Sequence, residues 1–155
     1  MARRAEMPVY KEDKSKDLLI SLEFKNGHPL IIITMRADDI TPEMFDWYQR
    51  DICTHATKID KNNIMKLMET EADGTPIIHQ RIITPVMVSN RSIIEAFYEE
   101  RRPDGSLLFI AGSVGNEEYL KKYSKEIGKD EIAQCILSYC EVTPVKDGTG
   151  KATGS

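Results

Sequence analysis

Apolar runs with a period of two, each closed by residues that turn the chain, constrain this sequence more than any other feature. Leu18, Ile20, Leu22 and Phe24 alternate with Leu19, Ser21 and Glu23. Asn26-Gly27 then supplies the positive φ angles of a tight hairpin before LIIITM resumes the apolar pattern. From Ile64 the period is again two. The run IMKLMETE meets Asp73-Gly74, IIHQRIIT follows, and SIIEAFYEER turns at Arg102-Pro103-Asp104-Gly105 into SLLFIAGSV. These segments read as consecutive antiparallel pairs, with a last strand in IAQCILSYCEV that ends at Pro144.

One segment breaks the period. Thr41-Pro42-Glu43 supplies a capping hydroxyl, a proline whose missing N–H is harmless in the first turn, and a carboxylate favoured by the helix dipole. Met44, Phe45, Trp47, Tyr48 and Ile52 then form one stripe of a helix running to about His55. That continuity predicts that Trp47 and Tyr48 anchor the helix in the core, with a membrane-facing surface as the alternative. EEYLKKYSKEIG reads as a short helix or a long loop.

An antiparallel sheet of six or seven strands with one helix inserted after the first hairpin excludes a Rossmann fold or a barrel of βα units, because too few helices remain to cross between parallel strands. The expected class is α+β: a curved antiparallel sheet packed around one or two helices, with space for a small apolar ligand between the layers. At 155 residues one domain suffices, and roughly two-thirds of the unfolded surface can be buried without disulfides or metal. Residues 1–7 are expected to be a disordered leader and 147–155 a flexible, glycine-rich tail, leaving a domain over 8–146.

Twenty-one basic residues against 25 acidic ones give a net charge of −4, which argues against a nucleic-acid binder. Cys53, Cys135 and Cys140 have no metal-ligand spacing and read as three reduced thiols. No apolar run approaches about 18 residues, and no apolar h-region follows the basic start. A soluble, unexported, cytoplasmic protein is therefore expected. No GxSxG, HExxH, P-loop or GxGxxG occurs, so no catalytic residue, metal or cofactor is assigned.

The segment Pro76–Tyr98, PIIHQRIITPVMVSNRSIIEAFY, brings His79, Arg81, Arg91 and Glu95 into runs dense in isoleucine. Burying a guanidinium or a carboxylate unpaired costs several kcal/mol, which suggests a lined cavity. Pro85, Ser89, Asn90 and Arg91, followed by Ile93 and Ile94, resemble the START (steroidogenic acute regulatory protein-related lipid transfer) family of the helix-grip superfamily. The resemblance covers roughly Val9 to Val145 and is strongest from Lys58 to Val114. START domains usually place an aspartate where Ser92 stands. They usually end with a further strand and a long C-terminal helix, where this sequence carries a polar tail after Pro144.

The resemblance implies a lipid or other hydrophobic small molecule bound in a cavity, and transfer of it at a transient membrane contact. It also implies that the face of Arg91, Ile93, Glu95 and Phe97 looks into that cavity, with Arg91 orienting the polar end. Arg91 and Glu95 stand about 13 Å apart along an extended strand and cannot pair directly. His79 and Arg81, on the preceding strand, are candidate partners for Glu95 and further candidates for ligand binding. Two other readings stay open. One is a protein-interaction or regulatory module with a collapsed cavity; the other is a small cyclase-like enzyme using His79 and Glu95.

Overall fold

The structure, a computed structural model, describes residues 8–14, 17–37, 40–114, 117–146 and 152–154. The segment expected to be a leader lies outside the described residues, as does most of the expected tail. Within that tail Ala152–Gly154 (β11) pairs antiparallel with Val145–Lys146 (β10).

The alternating runs become strands. Val9–Asp13 (β1), Leu18–Lys25 (β2) and His28–Thr34 (β3) form one antiparallel sheet in the order β1-β2-β3. The helices Pro42–Arg50 (α1) and Ile52–Ile59 (α2) follow. Next come Asn63–Thr70 (β4), Pro76–Ile82 (β5), Arg91–Arg101 (β6) and Leu107–Ser113 (β7). Glu117–Lys122 (α3) and Ser124–Ile127 (α4) lead into Glu131–Ile132 (β8) and Ser138–Val142 (β9). The second sheet has the order β4-β5-β6-β7-β9, with β8 added parallel to the start of β6. This is the α+β helix-grip architecture, a curved antiparallel sheet against helices. The region read as one last strand is divided between β8 and β9.

Turn chemistry sets the sheet's corners. Gly74 and Gly105 take φ +92 and +86, values a side chain with a Cβ rarely adopts. At the second corner Asp104 Oδ1 accepts hydrogen bonds from the Ser106 backbone N–H at 2.9 Å and from the Ser106 hydroxyl at 2.6 Å, fixing the turn locally.

Helices close both faces of the larger sheet. On one face α2 contributes Ala56, with Ile52 and Cys53 beside it, to a cluster with Met65, Ile78 and Phe97. Phe45 of α1 packs edge-on against Phe109, centroids 5.3 Å apart. On the other face Tyr123 and Ile127 pack on Ile77 and Ile94. Strands β5 and β6 are therefore apolar on both sides, unlike a half-solvated sheet. The three-stranded sheet differs: Phe24, Ile31 and Ile33 remain 69%, 56% and 61% exposed. Among the described residues no helix is long and apolar enough to cross a membrane.

The inserted helix corrects the expected stripe. Thr41 caps α1 as read, its hydroxyl accepting from the Met44 N–H at 3.2 Å, but α1 ends at Arg50 and α2 restarts after Asp51. Met44 and Trp47 are 54% and 65% exposed, so Trp47 is not a core anchor. It packs against His55 instead, ring centroids 4.1 Å apart and tilted by 36°. The inward side carries Pro42 and Asp46, with Phe45 against the sheet. Asp46 can turn inward because two arginines meet it there, so the helix is rotated away from its most apolar orientation.

Ile77 is 1% exposed in the core, so Ile77→Ala is expected to lower unfolding free energy by about 2–5 kcal/mol in urea titration. Phe24→Ser, on the uncovered sheet, is expected to change it by less than about 0.5 kcal/mol.

Candidate functional site

A cleft of about 550 Å³ opens between the larger sheet and the α1–α2 junction. Ile78, Phe97 and Phe109 form its floor, Ile52 and Cys53 one wall, and the turn Asp73–Thr75 another. This size and apolar lining suit a small ligand. The floor follows from register: Glu95 lies opposite Ile78 on β5 and Ser113 on β7, and alternation places Phe97 and Glu99 on the same face as Glu95.

Glu95 projects from the face that floors the cleft, 4% exposed. Among the described residues its Oε1 is buried with no hydrogen-bond partner. Burial pushes its carboxyl above the usual glutamate value, because the charged form loses its hydration. Glu95 itself is not among the residues that line the cleft.

At the cleft's edge stands a second polar group that the sequence reading missed. Asp46 of α1 accepts from Arg50 Nε at 3.1 Å and from Arg101 Nη2 at 2.9 Å. Burial alone would raise the Asp46 carboxyl. The hydrogen bond with Glu99 and the two guanidiniums outweigh burial and hold the carboxyl below its ordinary value. Glu99 is pushed up, first by burial and then by Asp46, as expected when two carboxyls share one site. A signal was present in the spacing: Asp46 and Arg50 lie four apart on a helix, and Glu99 and Arg101 two apart on a strand.

The structure separates the other candidates. His79 lies opposite Ile94, and Arg81 opposite Ser92, so both leave the opposite face of the sheet from Glu95. The expected pairing of Glu95 with His79 or Arg81 is not formed. The β5–β6 register decides this, since one residue of offset sends a side chain to the other face. Arg81 instead holds Asp130 through Nε at 2.5 Å and Nη2 at 3.0 Å. The Ser92 hydroxyl donates to Asp130 at 3.0 Å and lies 2.9 Å from His79 Nε2. Where the resemblance implies an aspartate at position 92, the carboxylate thus arrives from Asp130. Arg91 Nη1 pairs with Glu131 at 2.8 Å and donates to the Ser89 carbonyl at 2.7 Å, so it ties β6 to β8 and its preceding loop. Ile93 is buried beside Glu95, and Phe97 lines the cleft.

Serine, histidine and aspartate together invite a comparison with hydrolytic triads, and the order answers it. Histidine must stand between nucleophile and carboxylate to take the proton. Here Ser92 stands between His79 and Asp130, and is 0% exposed. Burial also lowers the His79 pKa. The cluster is a hydrogen-bonded polar network, with His79 and Arg81 beside a second, smaller hollow of about 250 Å³.

No protein-family model matches the sequence, and no curated protein matches it. Solved structures do match the fold. The human StarD13 (DLC2) lipid transfer and protein localization domain superposes with a TM-score of 0.67 at 15% identity, over 95% of this chain and 72% of that one. A STAR-related lipid transfer protein from Xanthomonas axonopodis gives 0.62 at 19% identity, over 93% and 76%. The class is therefore plain: a helix-grip domain with the START-type fold.

Because burial raises the Glu95 pKa, its folded value lies above its unfolded value, near 4.3. Native stability is then intact below that unfolded value and falls as pH rises through the folded one. Glu95→Gln is expected to be more stable than wild type at pH 8, with the difference shrinking toward about pH 4. Thermal melts across that range check it, and a pH-independent difference would refute the assignment.

Proposed function

We propose that this chain binds a lipid or another hydrophobic small molecule in the cleft between the larger sheet and α1–α2, without covalent chemistry, and transfers it. One observation carries the reading: a cleft of about 550 Å³ with an apolar floor of Ile78, Phe97 and Phe109 opens between the larger sheet and α1–α2. Burial of ligand hydrocarbon would supply affinity at about 25 cal/mol per Å² before ordering costs. Ile78, Phe97 and Phe109 would lie against the chain. The two structural neighbours described above are named for lipid transfer, which supports the same reading.

Exchange needs a way to a bilayer. Val86 and Met87, 94% and 98% exposed at the tip of the β5–β6 loop, form an apolar point that water does not favour. This tip is our candidate for a transient membrane contact. Three free thiols fit a reducing, cytoplasmic setting. Arg91, bonded to Glu131 and Ser89, serves in this reading to brace the loop rather than to hold a ligand headgroup.

Native mass spectrometry of protein purified from cells is expected to show a retained hydrophobic adduct. Leu67→Trp, at an exposed position lining the cleft, is expected to weaken binding of a neutral dye such as Nile red at least about tenfold. It should move the melting temperature by no more than about 2–4 °C. Full Nile red affinity in that variant would sink the cleft as the ligand site.

A further inference from the structure

The face of the larger sheet turned away from the cleft carries a hollow of its own. Ile64 and Lys66 of β4, His79 and Arg81 of β5, and Glu126 of α4 line about 250 Å³. Register builds its floor: Lys66 stands opposite His79 and Ile64 opposite Arg81, so the four share one face. His79 is 6% exposed, and the network beside it fixes its protons. Arg81 keeps Asp130 ionised, so the one Ser92 hydroxyl proton goes to Asp130, and the Ser92 oxygen accepts from His79 Nε2–H. Burial lowers the His79 pKa, so the ring is neutral at pH 7 and Nδ1 keeps a bare lone pair. Nδ1 has no hydrogen-bond partner among the described residues, yet it is not one of their buried orphan atoms. Water therefore reaches it, through the hollow that His79 lines. Around this acceptor stand opposite charges. Arg81 commits Nε and Nη2 to Asp130 and leaves Nη1 over, while the exposed Lys66 and Glu126 enter no ion pair among the described residues.

We propose that this hollow binds an α-amino acid zwitterion, whose ammonium donates to His79 Nδ1 and Glu126 while its carboxylate meets Lys66 and Arg81 Nη1, with an apolar side chain against Ile64. The site asks for both ends of such a ligand. An ammonium brings three donors, matching the bare imidazole nitrogen and the Glu126 carboxylate. A carboxylate accepts from both cations, and charge-assisted hydrogen bonds of this kind are about twice as strong as neutral ones. An acid without the amine leaves Nδ1 without a donor and faces repulsion from Glu126. An amine without the acid faces Lys66. The volume lies below the roughly 300 Å³ at which sites for drug-sized ligands begin, so the occupant is small. His79 and Arg81 leave the opposite face of the sheet from Phe97 and the cleft floor, and the assignment is independent of the lipid reading.

Calorimetric titration of the full chain with L-leucine, 4-methylpentanoate and 3-methylbutylamine tests this, since the last two each lack one end of leucine. Leucine is expected to bind at least about tenfold tighter than either. Its addition is expected to shift the His79 Nδ1 resonance in a long-range proton–nitrogen correlation spectrum. Lys66→Met and Glu126→Gln, both at exposed positions, are each expected to weaken leucine at least about threefold with the melting temperature within about 2 °C of wild type. No binding of leucine at about 10 mM overturns the site. Equal affinity for 4-methylpentanoate overturns the ammonium contact, and leucine affinity unchanged in both variants overturns the hollow as its place. Vesicles containing phosphatidylserine present the same ammonium and carboxylate on a lipid; binding of these without binding of leucine overturns the free ligand in favour of a membrane headgroup. Leucine affinity lost in Leu67→Trp would instead move the ligand to the cleft and overturn the inference.

Discussion

Strand β6 is covered on both faces, and that coverage governs the rest of the molecule. A strand with one face in water can leave its charged residues there. β6 has α2 on one side and α3–α4 on the other, so each polar side chain in its buried half needs a partner or bears the desolvation. Ser92, on the α3–α4 face, meets His79 and Asp130 and is satisfied. Glu95, on the α1–α2 face, is not. The two faces of one strand thus separate a satisfied polar cluster from an incomplete one, and the incomplete one is on the face that also carries Phe97 of the cleft's floor.

The same demand explains the seating of α1. A helix placed by its apolar stripe alone would bury Met44 and Trp47, yet both are largely exposed. Asp46 turns inward because Arg50, Arg101 and Glu99 converge on it. A buried ion pair of this kind is weak evidence for stability, because desolvation offsets much of the attraction. Its consequence is positional: it fixes helix rotation and sets the cleft's edge.

Most of the architecture was legible because it is local. Asn26-Gly27, Asp73-Gly74 and Asp104-Gly105 encode their own turns, alternation encodes strand faces, and Thr41-Pro42 encodes a helix start. The alternation along β6 correctly grouped Glu95 with Phe97. What escaped was relative register between strands joined by a long loop. Residues 83–90 contain no two-residue turn that would fix how β5 meets β6, so the sequence left open whether His79 faces Glu95 or Ser92. Partners from far along the chain were equally hidden. Asp130 reaches Arg81 across 49 positions and Arg101 reaches Asp46 across 55, and neither distance leaves a periodic trace.

A carboxyl that destabilises its own fold above its ordinary titration range calls for a reason to stay, because glutamine of nearly the same shape would remove the charge while keeping hydrogen-bonding capacity. The neighbouring network shows that this fold can satisfy a buried acid: Asp130 has two bonds from Arg81 and one from Ser92, and Arg81 holds its carboxyl below the ordinary range. No such arrangement surrounds Glu95, although Ser113 stands opposite it on β7. Glu95 shares a face with Phe97, a residue of the cleft's floor, without lining the cleft itself, so its unmet polarity is a cost to folding borne on that face, whereas Asp130 on the other face escapes it through Arg81 and Ser92.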